Sequence, residues 1–263
     1  MKRFNLKNKI SIITGGGGLL GLEHAKALLE INSIVILIDI NLKKLQNKQK
    51  LLIKESDKVH IFKSDIANEN SVKQTLKKIL KKFKKIDILI NNAAIDYKPS
   101  KKNFTKTTFE NSELKTWNKE LEVGLTGAYI CSKIFGGEIA KKGGVILNIA
   151  SDLSIIAPQQ SLYNHLNTIK PASYSVTKHG LIGLTKYLAS YWADKNVRVN
   201  ALSPGGVFNF QDKLFLHKIK KLIPMRRMAN LSEYKEAIQF LCSDASSYMT
   251  GHNMVLDGGR SVI

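Results

Sequence analysis

Tyr174 and Lys178 stand four residues apart in the run Tyr-Ser-Val-Thr-Lys. On a helix four residues make about one turn, so the two side chains share a face. A phenol with an ordinary pKa of ~10 is a poor base near neutral pH. An ammonium group fixed beside it favours the phenolate, at about 1.4 kcal/mol for each pKa unit of lowering. Such a pair can take or give the proton of an alcohol as it interconverts with a ketone, provided a hydride carrier lies alongside. An isolated Tyr-x-x-x-Lys is more often a half-buried aromatic with a solvated lysine, so the rest of the chain must decide.

A carrier site is signalled upstream. Gly16-Gly17-Gly18-Leu19-Leu20-Gly21 fits GxGxxG, follows a short β-branched strand (9–14) and opens a helix. Glycines there permit a tight turn and close backbone approach, and a helix N-terminus attracts a pyrophosphate. Asp39 closes the second apolar strand 18 residues after Gly21. A carboxylate at that place can accept hydrogen bonds from an adenosine ribose and repels a 2′-phosphate, which favours NAD over NADP. Lys43 and Lys44 soften that discrimination.

The elements needed to position these residues alternate along the whole chain. Apolar strands are expected at 9–14, 33–38, 59–63, 86–90, 145–149 and 197–201. Helices are expected from about Leu22 to Glu30, between Asn68 and Lys85, from about Leu125 to Lys141, and from Tyr174 to about Asp194. Continuous apolar strands suit a parallel sheet covered on both faces. With no linker, repeat or low-complexity segment, the economical reading is one doubly wound α/β domain over residues 1–263.

Composition narrows the alternatives. The net charge is +20, from 41 Lys and Arg against 21 Asp and Glu. The lysines accompany abundant isoleucine and asparagine, the bias of an AT-rich genome, and are spread along the chain, so nucleic-acid binding is not expected. Cys131 and Cys242 are far apart in apolar surroundings and read as core thiols of a reducing compartment. The six histidines show no ligand spacing, so no metal is expected. No stretch reaches the ~18 apolar residues of a membrane-spanning helix, and the apolar run after Lys2 and Arg3 is too short for a signal segment. A cytoplasmic location is the expectation.

Taken in order, the motifs resemble the short-chain dehydrogenase/reductase family, in its single-domain branch, over nearly the whole chain. They comprise the glycine turn, Asp65, Asn91-Asn92-Ala93-Ala94, Asn148-Ile149-Ala150-Ser151, Tyr174 with Lys178, Ser203-Pro204-Gly205-Gly206-Val207, Tyr248-Met249-Thr250-Gly251 and Leu256-Asp257-Gly258-Gly259. The resemblance implies a Rossmann-type parallel sheet with helices on both faces. It also implies Tyr174 as general acid/base, Lys178 as its partner and holder of the nicotinamide ribose, and Ser151 as hydrogen-bond partner of the substrate oxygen. Gly15, Gly17, Gly18, Leu19, Leu20, Asp39, Asp65, Ile66, Asn92, Ala93 and Val207 are the implied cofactor contacts, together with Tyr174 and Lys178. A homotetramer or homodimer is implied, built through the helices around 125–141 and 174–194, whose Leu181, Leu184 and Leu188 would suit either that interface or packing within the monomer.

Three departures stand out. Leu19 occupies the place of the family's middle glycine. Gly124, seven residues after Trp117, replaces the asparagine that usually helps order a water leading to the lysine. Ser151 and Tyr174 lie 23 positions apart, more than the family usually shows, so a loop insertion spans about 152–173 and is expected to border the substrate mouth. The long loop, the glycine turn and Leu-Ser-Pro-Gly-Gly-Val-Phe-Asn look like a subgroup associated with bacterial flagellin modification and nonulosonic sugar synthesis. By that resemblance the substrate is an amino sugar or sugar phosphate, with Lys213, His217, Lys218, Lys220, Lys221, Arg226 and Arg227 available to a phosphate. The alternatives are a 3-oxoacyl or other small-ketone reductase, a cofactor-binding subunit with little turnover of its own, and a basic surface-binding protein.

Overall fold

The computed structural model describes residues 2–95 and 107–263. Strands form at Ile10–Thr14 (β1), Ile34–Asp39 (β2), Val59–Lys63 (β3), Ile88–Asn91 (β4), Gly144–Ile149 (β5), Val197–Pro204 (β6) and Asn253–Leu256 (β7). They make one sheet in the order β3-β2-β1-β4-β5-β6-β7, and every pairing is parallel. β7 was not among the strands expected from the sequence. Its Asn-Met-Val-Leu is short and half-exposed, so it carries little of the apolar signal that marks the inner strands.

Adjacent residues of the inner strands point to opposite faces, and both faces are core. Ile13, Leu37, Ile90 and Leu147 pack beneath the helices Leu19–Glu30, Leu42–Leu52 and Lys235–Cys242. Their neighbours Ile12, Ile36, Leu89 and Ile146 face the opposite layer, where Val72, Ile79, Phe135 and Leu188 are buried. Cys131 and Cys242 are buried free thiols in these two cores. Among the described residues, no helix is long and apolar enough to cross a membrane.

Helix boundaries differ from the sequence expectation in three places, one of them the helix expected from Tyr174 to about Asp194, which spans Ala172–Tyr191. The first helix starts at Leu19 rather than Leu22, because the chain turns helical directly after Gly18. The helix expected from Leu125 begins much earlier. It runs over 114–139 with π-helical turns at Glu122–Thr126 and Ser132–Gly136. Glycines let it lie close to its neighbours: a Cβ on Gly127 would stand 2.7 Å from Cδ1 of Ile66. A π turn re-aims the side chains that follow it and is frequent at functional sites.

The stretch 152–173, expected from the sequence as a loop insertion, is organised rather than loose. It holds single turns at Asp152–Ser154, Gln160–Leu162 and Asn164–Leu166, and the next helix begins at Ala172. Leu162 shares a small core with Ile219, Ile223 and Met228, which belong to or follow the helix Lys213–Lys221. His165 Nε2 lies 2.9 Å from Asp212 Oδ1, and Lys218 Nζ donates to Ser161 O at 3.1 Å. The insertion and the segment after β6 therefore form one wall.

Candidate active site

The strand order reverses at β1, which pairs with β2 on one side and β4 on the other. Crevices open at the carboxyl ends of strands beside such a reversal. A cavity of about 950 Å³ lies there. Of the nominated catalytic and cofactor residues, all but Gly17 line it. Gly17 instead donates its N–H to Asp39 Oδ2 at 3.1 Å.

Asp39 is held at the end of β2 by two backbone donors, Gly17 N and, at 2.9 Å on Oδ1, Asn41 N. Gly15 has a φ of +64°, and a Cβ there would stand 2.7 Å from Ala93 Cα, so the turn needs glycine for both reasons. Asn92 works mainly as a brace, donating from Nδ2 to Thr14 O at 2.9 Å and to Gly15 O at 3.2 Å. Thr14 Oγ1 accepts from the N–H groups of Asn92 and Ala93. The turn is thereby tied to β4.

Among the described residues no side chain caps the helix that starts at Leu19, and Gly18, Leu19 and Leu20 line the cavity. Its first-turn N–H groups are therefore donors without an intrahelical partner, beside a space large enough for a phosphate. With Asp39 at one end, these residues fit a dinucleotide. Asp65 lines the cavity and does not cap the following helix. Its Oδ1 accepts from Ala67 N at 3.0 Å, while Asn68 is the cap. Leu19 places a part-exposed side chain where the family's usual glycine has none.

The other nominated end of the cavity gathers four segments: 149–153, the stretch holding Gln160 and Lys170, the helix from Ala172, and Arg260. Lys178 is buried, and its Nζ donates to Ile149 O at 2.8 Å. It lies 5.6 Å from the Tyr174 ring centroid, while Lys170 Nζ, from the insertion, lies 3.7 Å away on the same ring. Gln160 fixes the Lys170 backbone with both ends of its amide. Ser151 Oγ donates to Asp152 Oδ1 at 2.8 Å and accepts from Leu153 N at 3.2 Å. Asp152 Oδ2 accepts from Arg260 at 2.7 Å, and both partners are buried. Ser151, Tyr174 and Lys178 thus share one wall beside the nominated cofactor cleft, an arrangement suited to moving a proton on and off an alcohol oxygen.

Behind that wall, Gly124 packs on Thr177, and Glu120, one turn earlier, is buried and accepts from Ser173 Oγ. Nearer the glycine turn, His24 is buried. Burial drives its imidazole down to about 4, against the opposing effect of a hydrogen bond with Asn92. Sequence reading did not single out Lys170, Asp152, Arg260 or Glu120. Lys170 lies four residues before Tyr174, but it precedes the helix, so helical spacing was no guide to it. The basic residues 213–227 offered for a phosphate do not line the cavity. Lys218 and Arg226 bond to carbonyls, and Arg227 pairs with Glu233.

A family model described as enoyl-(acyl carrier protein) reductase matches residues 19–261. The chain belongs to the short-chain dehydrogenase/reductase family. It is 30% identical to an NAD-dependent glycerol dehydrogenase of Listeria innocua, over 99% of this chain and 97% of that one. It is 29% identical to the post-translational flagellin modification protein A of Campylobacter coli, over 97% and 98%. Among solved structures, a gluconate 5-dehydrogenase from Burkholderia cenocepacia, in complex with NADP and tartrate, superposes with a TM-score of 0.87 at 26% identity. That match covers 99% of this chain and 98% of the other. The activity class follows from the family: an NAD(P)-dependent dehydrogenase/reductase acting on CH–OH groups. Flagellin modification is the role of one distant relative among several, and the relatives use either nicotinamide cofactor.

Proposed function

We propose that this chain oxidises a secondary alcohol of a polyhydroxylated substrate, a sugar or amino sugar, with NAD as its cofactor. The observation that carries the reading is the meeting of Tyr174, Lys178 and Ser151 on one wall of a cavity whose far end is bounded by the fixed carboxylate of Asp39. Bound nicotinamide would supply the hydride acceptor. Tyr174 Oη takes the hydroxyl proton, Lys178 holds positive charge beside the phenol ring, and Ser151 orients the substrate oxygen. Asp39 would receive the adenosine ribose and disfavour a 2′-phosphate.

A polyhydroxylated substrate is supported by the polar groups at the mouth. Lys170, Asn209, Gln211 and Asp212 line the cavity. The names of the glycerol and gluconate dehydrogenases point the same way, and that of the flagellin modification protein keeps a surface-glycan pathway in view. The phosphate of a sugar phosphate has no support from the 213–227 basic residues. The second reading is a 3-oxoacyl or small-ketone reductase, favoured by the apolar Phe215, Ile219 and Met228 along the same cavity.

Assembly into a homodimer or homotetramer is part of the proposal. Its interface would rest on Tyr129, Tyr187 and Tyr191, which are exposed on the helices 114–139 and Ala172–Tyr191. Leu181 and Leu188 are buried inside the monomer and Leu184 packs on its core, so they are not free to form that interface.

The test is NADH formation from NAD with a panel of polyols, aldonates, amino sugars and 3-hydroxyacyl thioesters. Turnover on a polyhydroxylated class, lost in Tyr174→Phe while calorimetric NAD binding persists, is the expected result. Turnover confined to the thioesters would replace the substrate reading. NAD binding without turnover on any class would leave a cofactor-binding subunit.

A further inference from the structure

Ser151, the residue proposed to touch the substrate oxygen, is bonded to a carboxylate before any substrate arrives. Its single hydroxyl proton goes to Asp152 Oδ1, and Asp152 is 3% exposed. Oδ1 also accepts from Leu153 N at 2.9 Å, which fixes the carboxylate against the turn that carries Ser151. Oδ2 faces Arg260, itself 9% exposed.

Arg260 reaches this place because the chain after β7 folds back. Asp257 accepts from Gly259 N at 2.9 Å and from Ser261 N at 2.7 Å, pinning the turn on either side of Arg260. A Cβ on Gly205, at the end of β6, would stand 2.6 Å from Asp257 Cα, so that turn sits directly against the cavity wall. Both Asp152 and Arg260 line the cavity.

A buried carboxylate beside a reacting alcohol is a liability. Oxidation builds negative charge on the substrate oxygen and requires a phenolate at Tyr174, and a second negative charge nearby opposes both. A neighbouring guanidinium removes that opposition while leaving Asp152 able to hold the Ser151 hydroxyl. We propose that Asp152 and Arg260 are the positioning pair of Ser151, in which Asp152 holds the hydroxyl proton until it turns to the substrate oxygen as negative charge grows there, and Arg260 cancels the charge that Asp152 would otherwise set beside the reacting oxygen. The inference rests on the reading of Ser151 as the group that meets the substrate.

The experiment compares Arg260→Met, Asp152→Asn and the double variant in the full-length protein, with each variant's melting temperature measured alongside. Arg260→Met should lower kcat by at least about tenfold with NAD affinity unchanged, because it leaves the carboxylate uncompensated. The acid limb of its pH profile should move to higher pH. Ultraviolet difference titration against the matching Tyr174→Phe background should show the phenol ionising at higher pH, a readout independent of turnover. Adding Asp152→Asn keeps the acceptor for Ser151 but removes the charge, and should restore most of kcat and the original profile.

If Arg260→Met does not fold, Arg260→Lys and the double variant, in which no charge is left unpaired, carry the test. A double variant whose kcat stays as low as that of Arg260→Met, or an unshifted phenol titration in Arg260→Met, would overturn the proposal and leave a structural ion pair. A wild-type enzyme insensitive to Ser151→Ala would instead refute the underlying reading of Ser151.

Discussion

The Cβ that Gly124 lacks would lie 2.6 Å from Cγ2 of Thr177. Thr177 immediately precedes Lys178 on the helix Ala172–Tyr191, and Gly124 sits in the first π turn of the facing helix. An asparagine at this position would therefore need the room that the Thr177 methyl occupies. Thr177 Oγ1 is buried without a partner among the described residues, so the interface is close-packed but not fully hydrogen-bonded.

Gly124→Asn alone should destabilise the protein by about 1–3 kcal/mol through overpacking and should not raise kcat. Combined with Thr177→Ala, which removes the obstructing methyl, it should recover most of that stability. Urea midpoints of the two variants decide the matter. Equal stability of Gly124→Asn and the parent would show that the methyl moves aside freely.

Asp39→Ala should weaken NAD binding by roughly 10- to 100-fold, corresponding to the loss of charge-assisted hydrogen bonds worth about 1.5–3 kcal/mol. NADP should lose much less, since the same change removes a repulsive charge. Calorimetric titration of both cofactors provides the comparison. Parallel losses would mean that the carboxylate serves only to brace Gly17, whose N–H it accepts.

His24 makes stability depend on pH. Its imidazole is held at about 4 in the folded chain against 6.5 when free of the fold. The unfolded chain therefore binds a proton between these values that the folded chain refuses. Stability is fully present above pH 6.5 and falls as pH drops toward 4, by on the order of 2 kcal/mol at pH 5 from this residue alone. His24→Leu should show a correspondingly smaller loss between pH 7 and pH 5 in urea denaturation. An identical loss in both proteins would place the acid sensitivity elsewhere.

Much of the candidate site could be nominated from sequence because it is written in local chemistry. A glycine turn between a strand and a helix, an aspartate closing the next strand, and a tyrosine and lysine one helical turn apart each need only short-range geometry. The parallel sheet needed only the alternation of apolar strands and helices. β7 escaped because a half-exposed edge strand has no strong apolar period. The 114–139 helix was cut short because its exposed first half lacks a buried stripe.

Tertiary structure alone decided the remainder. Asp152 and Arg260 are 108 residues apart, and nothing in the composition of either segment announces their pairing. The same holds for Leu162 against Ile219, for Lys170 over the ring of Tyr174, and for Thr177 against Gly124. Each depends on which surfaces the sheet brings into contact and how much volume is left between them. Spacing along a chain records repeat and turn geometry; it does not record close packing between distant segments. The sequence by itself determined the fold and nominated the residues proposed to move the proton, and close packing decided what surrounds them.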